Sequence, residues 1–259
     1  MHMASAHPVG VGLLVAAALA AGPAAPWGDP VGGSSVARAQ DFGEERDRMV
    51  REQLAAEARF REAITDSAVL EAMRAVPRHR FVPAVLRESA YEDRPLPIGH
   101  GQTISQPWIV ARMTELVRPE PGDTVLEVGT GSGYQAAVLA EVVDHVFTIE
   151  IVDELARSAR QRLRELGYGN VTVRHGDGYR GWPEHAPFDA IVVTAASEKI
   201  PEPLVNQLAS GGRMVIPVGP QARGQALTVL HRREDGSIER RVVSAVRFVP
   251  MTRDTAEGG

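Results

Sequence analysis

The chain has 259 residues, enough for one α/β domain with a full core and short extensions. Its formal net charge is -5, with both signs interspersed, which argues against a dedicated nucleic-acid surface built on a basic patch. It has no cysteine, so disulfides, thiolate metal sites and a cysteine nucleophile are excluded.

Residues 1–40 differ from the rest. An apolar run over 9–21 leads into a Gly/Pro/Ser-rich segment ending in Val36-Ala37-Arg38-Ala39-Gln40. Ala37 and Ala39 make the Ala-x-Ala pattern that signal peptidase prefers. The run is shorter than the roughly 20 apolar residues of a membrane span, and no Lys or Arg precedes it. Three readings stand: an export leader cleaved near Ala39, a disordered extension, or translation begun upstream of the true start, for which Met49 is a candidate.

Residues 41–58 are charged and helix-permissive. Thr65, Asp66 and Ser67 are candidate N-caps for a second helix, whose Val69, Leu70, Met73 and Val76 recur at core spacing before Pro77 ends it. Residues 81–106 have little periodicity and carry turn formers Pro95, Pro97, Gly99 and Gly101. Their apolar content (Tyr91, Leu96, Ile98, Ile104) predicts an ordered loop, and long ordered loops in compact domains are usually functional. A helix follows over 107–117, with Pro107 in its first turn.

After a turn at 119–123 the pattern becomes alternating. Strands are predicted at 124–128, 145–149, 171–174, 189–194, 213–218, 226–231 and 238–249, the last pair joined by a turn at Glu234-Asp235-Gly236. Helices are predicted at 134–142, 152–166 and 203–208, the last leading through Gly211-Gly212 into its strand. This order implies an α/β fold: a mainly parallel, doubly wound sheet of seven strands, covered on both faces, with an antiparallel C-terminal edge and N-terminal helices.

Val125-Leu126-Glu127-Val128-Gly129-Thr130-Gly131-Ser132-Gly133-Tyr134 reads as a buried strand, a glycine turn and a helix start. In open α/β sheets the ligand sits at the carboxyl ends of such strands. A nicotinamide fingerprint needs Gly-x-Gly-x-x-Gly. Here Gly133 falls one position early and Tyr134 stands where that pattern wants glycine. The spacing resembles that of class I methyltransferases, which bind S-adenosylmethionine. Glu150, directly after the second strand, can accept both hydroxyls of a ribose, or it is an ordinary acid at a helix start. Asp177, in Gly176-Asp177-Gly178, can accept an adenine amino group, or it belongs to a plain Asp-Gly turn.

The run Pro95-Leu96-Pro97-Ile98-Gly99-His100-Gly101-Gln102-Thr103-Ile104-Ser105-Gln106-Pro107 is more specific. It resembles the substrate loop of protein-L-isoaspartate O-methyltransferases, and the resemblance extends over about residues 49–252. Trp108, where Tyr is more usual, and the long N-terminal extension depart from the family pattern. The resemblance implies transfer of a methyl group from S-adenosylmethionine to the free α-carboxylate of L-isoaspartyl residues in damaged proteins. The ester then closes to a succinimide unaided, and its hydrolysis returns some normal aspartate. It implies one methyltransferase domain over 41–252, divided into helices and substrate loop (41–118) and cofactor sheet (119–252), with a flexible tail at 253–259. Expected cofactor contacts are Gln102, Thr103, Ile104, Ser105, Gly129, Thr130, Gly131, Ser132, Gly133, Glu150, Asp177, Gly178 and Thr252. The catalytic residue is expected to be Ser105, as a hydrogen-bond donor that positions the carboxylate; its alternative role is N-cap of the helix that follows. The resemblance also implies a cytoplasmic monomer using no metal, no nucleic acid and no stable membrane association. The histidines, among them His79, His100, His145, His175, His185 and His231, show no metal-ligand spacing. His100, at the variable position of the loop, is expected to be dispensable.

Overall fold

The computed structural model describes residues 42–58 and 61–253. The expected leader and all but the first residue of the expected tail lie outside them. The N-terminal segment forms α1 (Gly43–Arg48), a π-helical turn (Met49–Leu54) and α2 (Ser67–Ala75). In α1 the acids Glu44 and Glu45 occupy the first turn and Arg46 and Arg48 the last, which suits the helix dipole. Of the three candidate caps, Asp66 takes the N-cap of α2. Its carboxylate accepts from the Ala68 and Val69 amides at 2.9 and 3.2 Å. Val69, Met73 and Val76 are buried and Leu70 packs against the same core.

Residues 81–106 are ordered, as their apolar content predicts, but they contain a hairpin that periodicity did not reveal. Strands β1 (Leu96–Gly99) and β2 (Gln102–Ile104) pair antiparallel, with Leu96 opposite Ile104. The turn runs through Gly99, His100 and Gly101, all at positive φ, and His100 is exposed at its tip. Each strand is too short to show a period. Helix α3 (Pro107–Val117) follows with the predicted bounds.

The main sheet comprises β3 (Thr124–Val128), β4 (His145–Glu150), β5 (Val171–His175), β6 (Phe188–Val193), β7 (Leu208–Val218), β8 (Gln225–Arg232) and β9 (Ile238–Val246). Their order across the sheet is β5-β4-β3-β6-β7-β8-β9. The first five are parallel; β8 and β9 add an antiparallel edge. Helices α4 (Tyr134–Ala140), α5 (Asp153–Glu165) and α6 (Glu202–Asn206) make the crossovers. Gly211 and Gly212 are not a linker, as the sequence suggested, but lie inside β7, where the pairing register with β6 shifts between Phe188 and Ala190. A bulge of this kind interrupts the alternation that marks a strand.

Alternate residues feed two cores. Val125, Val146, Val192 and Val215 face α2, α3 and α4, while Leu126, Ile149, Ile191, Val193 and Met214 face Trp182 and Leu204. Both faces are dry, which is why these strands read as continuous apolar runs. Burying each such side chain contributes about 1.5–3 kcal/mol. Strand order reverses between β3 and β6, so their carboxyl ends open a crevice at the switch point. Among the described residues, no helix is long and apolar enough to cross a membrane.

Candidate active site

The crevice is a cleft of ≈ 560 Å³, counting its open mouth. Three elements build its floor. The register of β3 on β4 sets Val128 beside Ile149, so the glycine turn and Glu150 leave the sheet side by side. The Ile149 carbonyl accepts from the amides of both Gly129 and Thr130 and bends the chain sharply. Gly129 has φ +98°, and a Cβ there would strike the Thr194 hydroxyl. That hydroxyl donates to the Gly129 carbonyl at 2.7 Å and ties β6 to the turn.

Glu150 is the last residue of β4 rather than the first after it, and is 6% exposed. One carboxylate oxygen accepts from the Gly131 amide at 2.8 Å and the other from the Val152 amide at 2.9 Å. Each oxygen keeps a lone pair, so a fixed anion faces the cleft with two open acceptor positions. This pair of acceptors fits the vicinal diol of a ribose. Asp177 caps the short turn at Gly178–Arg180 by accepting from the Tyr179 amide at 2.8 Å through Oδ1, beside the cleft and not among the residues that line it. Gly178 lines the cleft, and a Cβ there would strike Val128.

Of the residues expected to contact a cofactor, Gln102, Thr103, Gly129, Gly131, Glu150, Gly178 and Thr252 line this cleft. Ile104, Ser105, Thr130, Ser132, Gly133 and Asp177 do not line it. Ile104 is buried in the core. Thr130 is buried, its hydroxyl 2.6 Å from that of Thr148. The Ser132 carbonyl accepts from Arg162 at 2.6 Å. Gly133 is a packing glycine: it has φ +89° and a Cβ would press on Leu163 at 3.2 Å.

Ser105 is half-buried at the end of β2, next to the wall formed by Gln102 and Thr103. Its expected alternative as helix cap is overturned. The N-cap of α3 is Gln106, with no side-chain cap bond. The Trp108 amide donates instead to Asp93 Oδ1 at 2.9 Å, and Asp93 is ion-paired with Arg61. The cap comes from a residue distant in the chain, which spacing rules cannot find. The Ser105 hydroxyl makes no hydrogen bond among the described residues.

Sequence reasoning missed the far wall, built by Thr194, Ala195 and residues 249–251. The Ala196 amide donates to the Val249 carbonyl and the Met251 amide to the Ala196 carbonyl, both at 2.8 Å. The Tyr179 hydroxyl donates to the Met251 carbonyl at 3.2 Å. Also missed was Glu127, wholly buried beneath the turn. The Thr148 hydroxyl donates to its Oε2 at 2.5 Å, while Oε1 is buried without a hydrogen bond. Burial, reinforced by the nearby Glu150 charge against the effect of the Thr148 hydrogen bond, pushes its carboxyl up to about 8. Its signal in the sequence was a lone acid inside an apolar strand.

The profile of the protein-L-isoaspartate(D-aspartate) O-methyltransferase family matches residues 49–256. The chain belongs to this family. A relative from Gloeobacter violaceus, a protein-L-isoaspartate O-methyltransferase, is 63% identical over 187 residues, covering 72% of this chain and 91% of the relative. Another from Opitutus terrae is 57% identical over 210 residues, covering 81% and 88%. A crystal structure of a Plasmodium falciparum family member in complex with S-adenosyl-L-homocysteine covers 82% of this chain and 99% of its own, with TM-score 0.67 and 26% identity. The matched span contains the hairpin segment and the glycine turn. No group of three or more His, Asp or Glu placed to hold a metal occurs among the described residues.

Proposed function

We propose that this chain methylates the free α-carboxylate of L-isoaspartyl residues in proteins and peptides, with S-adenosylmethionine as donor. The observation that carries the reading is a junction: β2 and its hairpin wall a cleft whose floor is the glycine turn and the Glu150 carboxylate. Bound S-adenosylmethionine supplies an electrophilic methyl carbon on a sulfonium, so the C–O bond forms as the C–S bond breaks and sulfur keeps the electron pair.

Glu150 takes the ribose hydroxyls on its open lone pairs, and Asp177 accepts the adenine amino group. Gly129, Gly131 and Gly178 let the backbone approach the nucleoside closely. Gln102, Thr103 and Thr252 bound the space in which the two substrates meet. Ile104, Thr130, Ser132 and Gly133 support this surface from behind. The Ser105 hydroxyl donates to the substrate carboxylate and fixes its direction. A carboxylate is ionised near pH 7, so the chain needs no general base. Its contribution is alignment and exclusion of water, which lower the barrier by fixing the two reactants in one geometry. The methyl ester that leaves closes to a succinimide with loss of methanol. The enzyme is read as a monomer working in the cytoplasm, where S-adenosylmethionine is made.

Methyl transfer from labelled S-adenosylmethionine to paired peptides, identical except for isoaspartate or aspartate, tests the reading. Label is expected on the isoaspartyl peptide alone. Equal labelling of both, or labelling of neither, overturns it.

A further inference from the structure

Arg78 is among the largest fully buried side chains of the protein, at 0% exposure, and the chemistry above does not use it. It follows α2 in the run Pro77-Arg78-His79-Arg80-Phe81. Its Nε donates to the Ala90 carbonyl and its Nη2 to the Ser105 carbonyl, both at 2.7 Å. The guanidinium carbon stands 4.7 Å from the centre of the Tyr134 ring. One planar group therefore ties the segment entering the hairpin, the residue leaving it, and the first residue after the glycine turn. A rigid fork suits this task and an ammonium does not.

The electrostatics are unusual. The polar groups felt by Arg78 are the Tyr91 and Tyr134 phenols, and Arg46 adds a further positive charge near both. No carboxylate among the described residues pairs with Arg78, and Glu127, behind the glycine turn, favours its neutral form. Burial holds the guanidinium down at about 10. A buried cation without a counter-ion is costly, and an apolar side chain of similar volume would pack there more cheaply. The cost has a use if the counter-ion arrives with the substrate.

We propose that Arg78 is a positioning residue for the substrate carboxylate, holding the backbone of Ser105 from below and supplying the positive field under it. The proposal rests on the reading of Ser105 given above. Carbonyl oxygen and side chain diverge from one residue, so the guanidinium lies on the order of 7 Å from a carboxylate bound at the Ser105 hydroxyl. At an effective dielectric of about 20, attraction over that span is worth tenfold or more in affinity.

The test compares an isoaspartyl peptide with its α-carboxamide, a neutral isostere, as ligands of the enzyme with S-adenosylhomocysteine bound. Wild type prefers the carboxylate. In Arg78→Met that preference falls about tenfold while carboxamide binding stays within twofold. A merely structural residue would weaken both peptides alike, and that result overturns the proposal, as does an unchanged preference. Arg78→Lys restores the carboxylate preference but loses about tenfold in single-turnover rate, because an ammonium cannot hold both carbonyls. Should Arg78→Met fail to fold, Arg78→Lys decides: wild-type turnover overturns the proposal, and a lowered rate at unchanged S-adenosylhomocysteine affinity supports it. A wild type that transfers no methyl group to the isoaspartyl peptide marks failure of the functional reading instead.

Discussion

Glu127→Gln isolates a single buried proton. The side chain is wholly buried on β3 between Thr148 of β4 and Val192 of β6. Its carboxyl is pushed from 4.5 to about 8, first by burial. Between those values the folded protein holds a proton that the unfolded chain has released, so stability is greatest below pH 4.5 and falls as pH rises toward 8. Each unit of pH in that window costs about 1.4 kcal/mol. From pH 5 to pH 8, integrating both titrations gives a loss of about 3–4 kcal/mol. Glutamine copies the shape of the protonated acid and still accepts the Thr148 hydroxyl, but does not titrate. The variant should therefore match wild type at pH 5 and exceed it by about 3–4 kcal/mol at pH 8. Urea denaturation of both proteins, without cofactor, at four values of pH measures the difference. Groups remote from Glu127 contribute equally in the two proteins and cancel. A stability difference independent of pH would refute a neutral Glu127.

Ser105→Ala should lower single-turnover methylation on the order of ten- to a hundredfold, the loss of a hydrogen bond to a charged group of about 1.5–3 kcal/mol. Because Ser105 does not cap α3, the melting temperature should hold; a lowered melting point with normal turnover makes the residue structural. Glu150→Ala should weaken S-adenosylmethionine binding by about 1.5–3 kcal/mol in titration calorimetry, with some loss of stability because the Gly131 and Val152 amides lose their acceptor. Unchanged affinity would reduce Glu150 to a structural acid. Asp93→Ala should destabilise by about 1–2 kcal/mol through the lost cap at Trp108; equilibrium unfolding at wild-type stability would show that water replaces it as the acceptor.

Much of this architecture is written in local signals. Apolar runs marked the strands of the sheet because both of its faces are buried, and α3 was bounded by Pro107 and its apolar spacing. The glycine turn, Glu150 and Asp177 were legible as candidates because each stands at a strand's carboxyl end, the side on which open α/β sheets bind ligands. The run from Pro95 to Pro107 identified the family. Other features needed the folded chain. The β1–β2 hairpin has strands too short to show a period. The Asp93 cap, the wall formed by residues 249–251 and the burial of Glu127 all join positions far apart in sequence. Arg78 reads as one more basic residue after a helix until three segments close around it. Periodicity records what one residue does to its near neighbours; which distant groups share a low-dielectric pocket is decided only when the sheet and its loops pack, because charge and hydrogen bonding act through space and not along the chain.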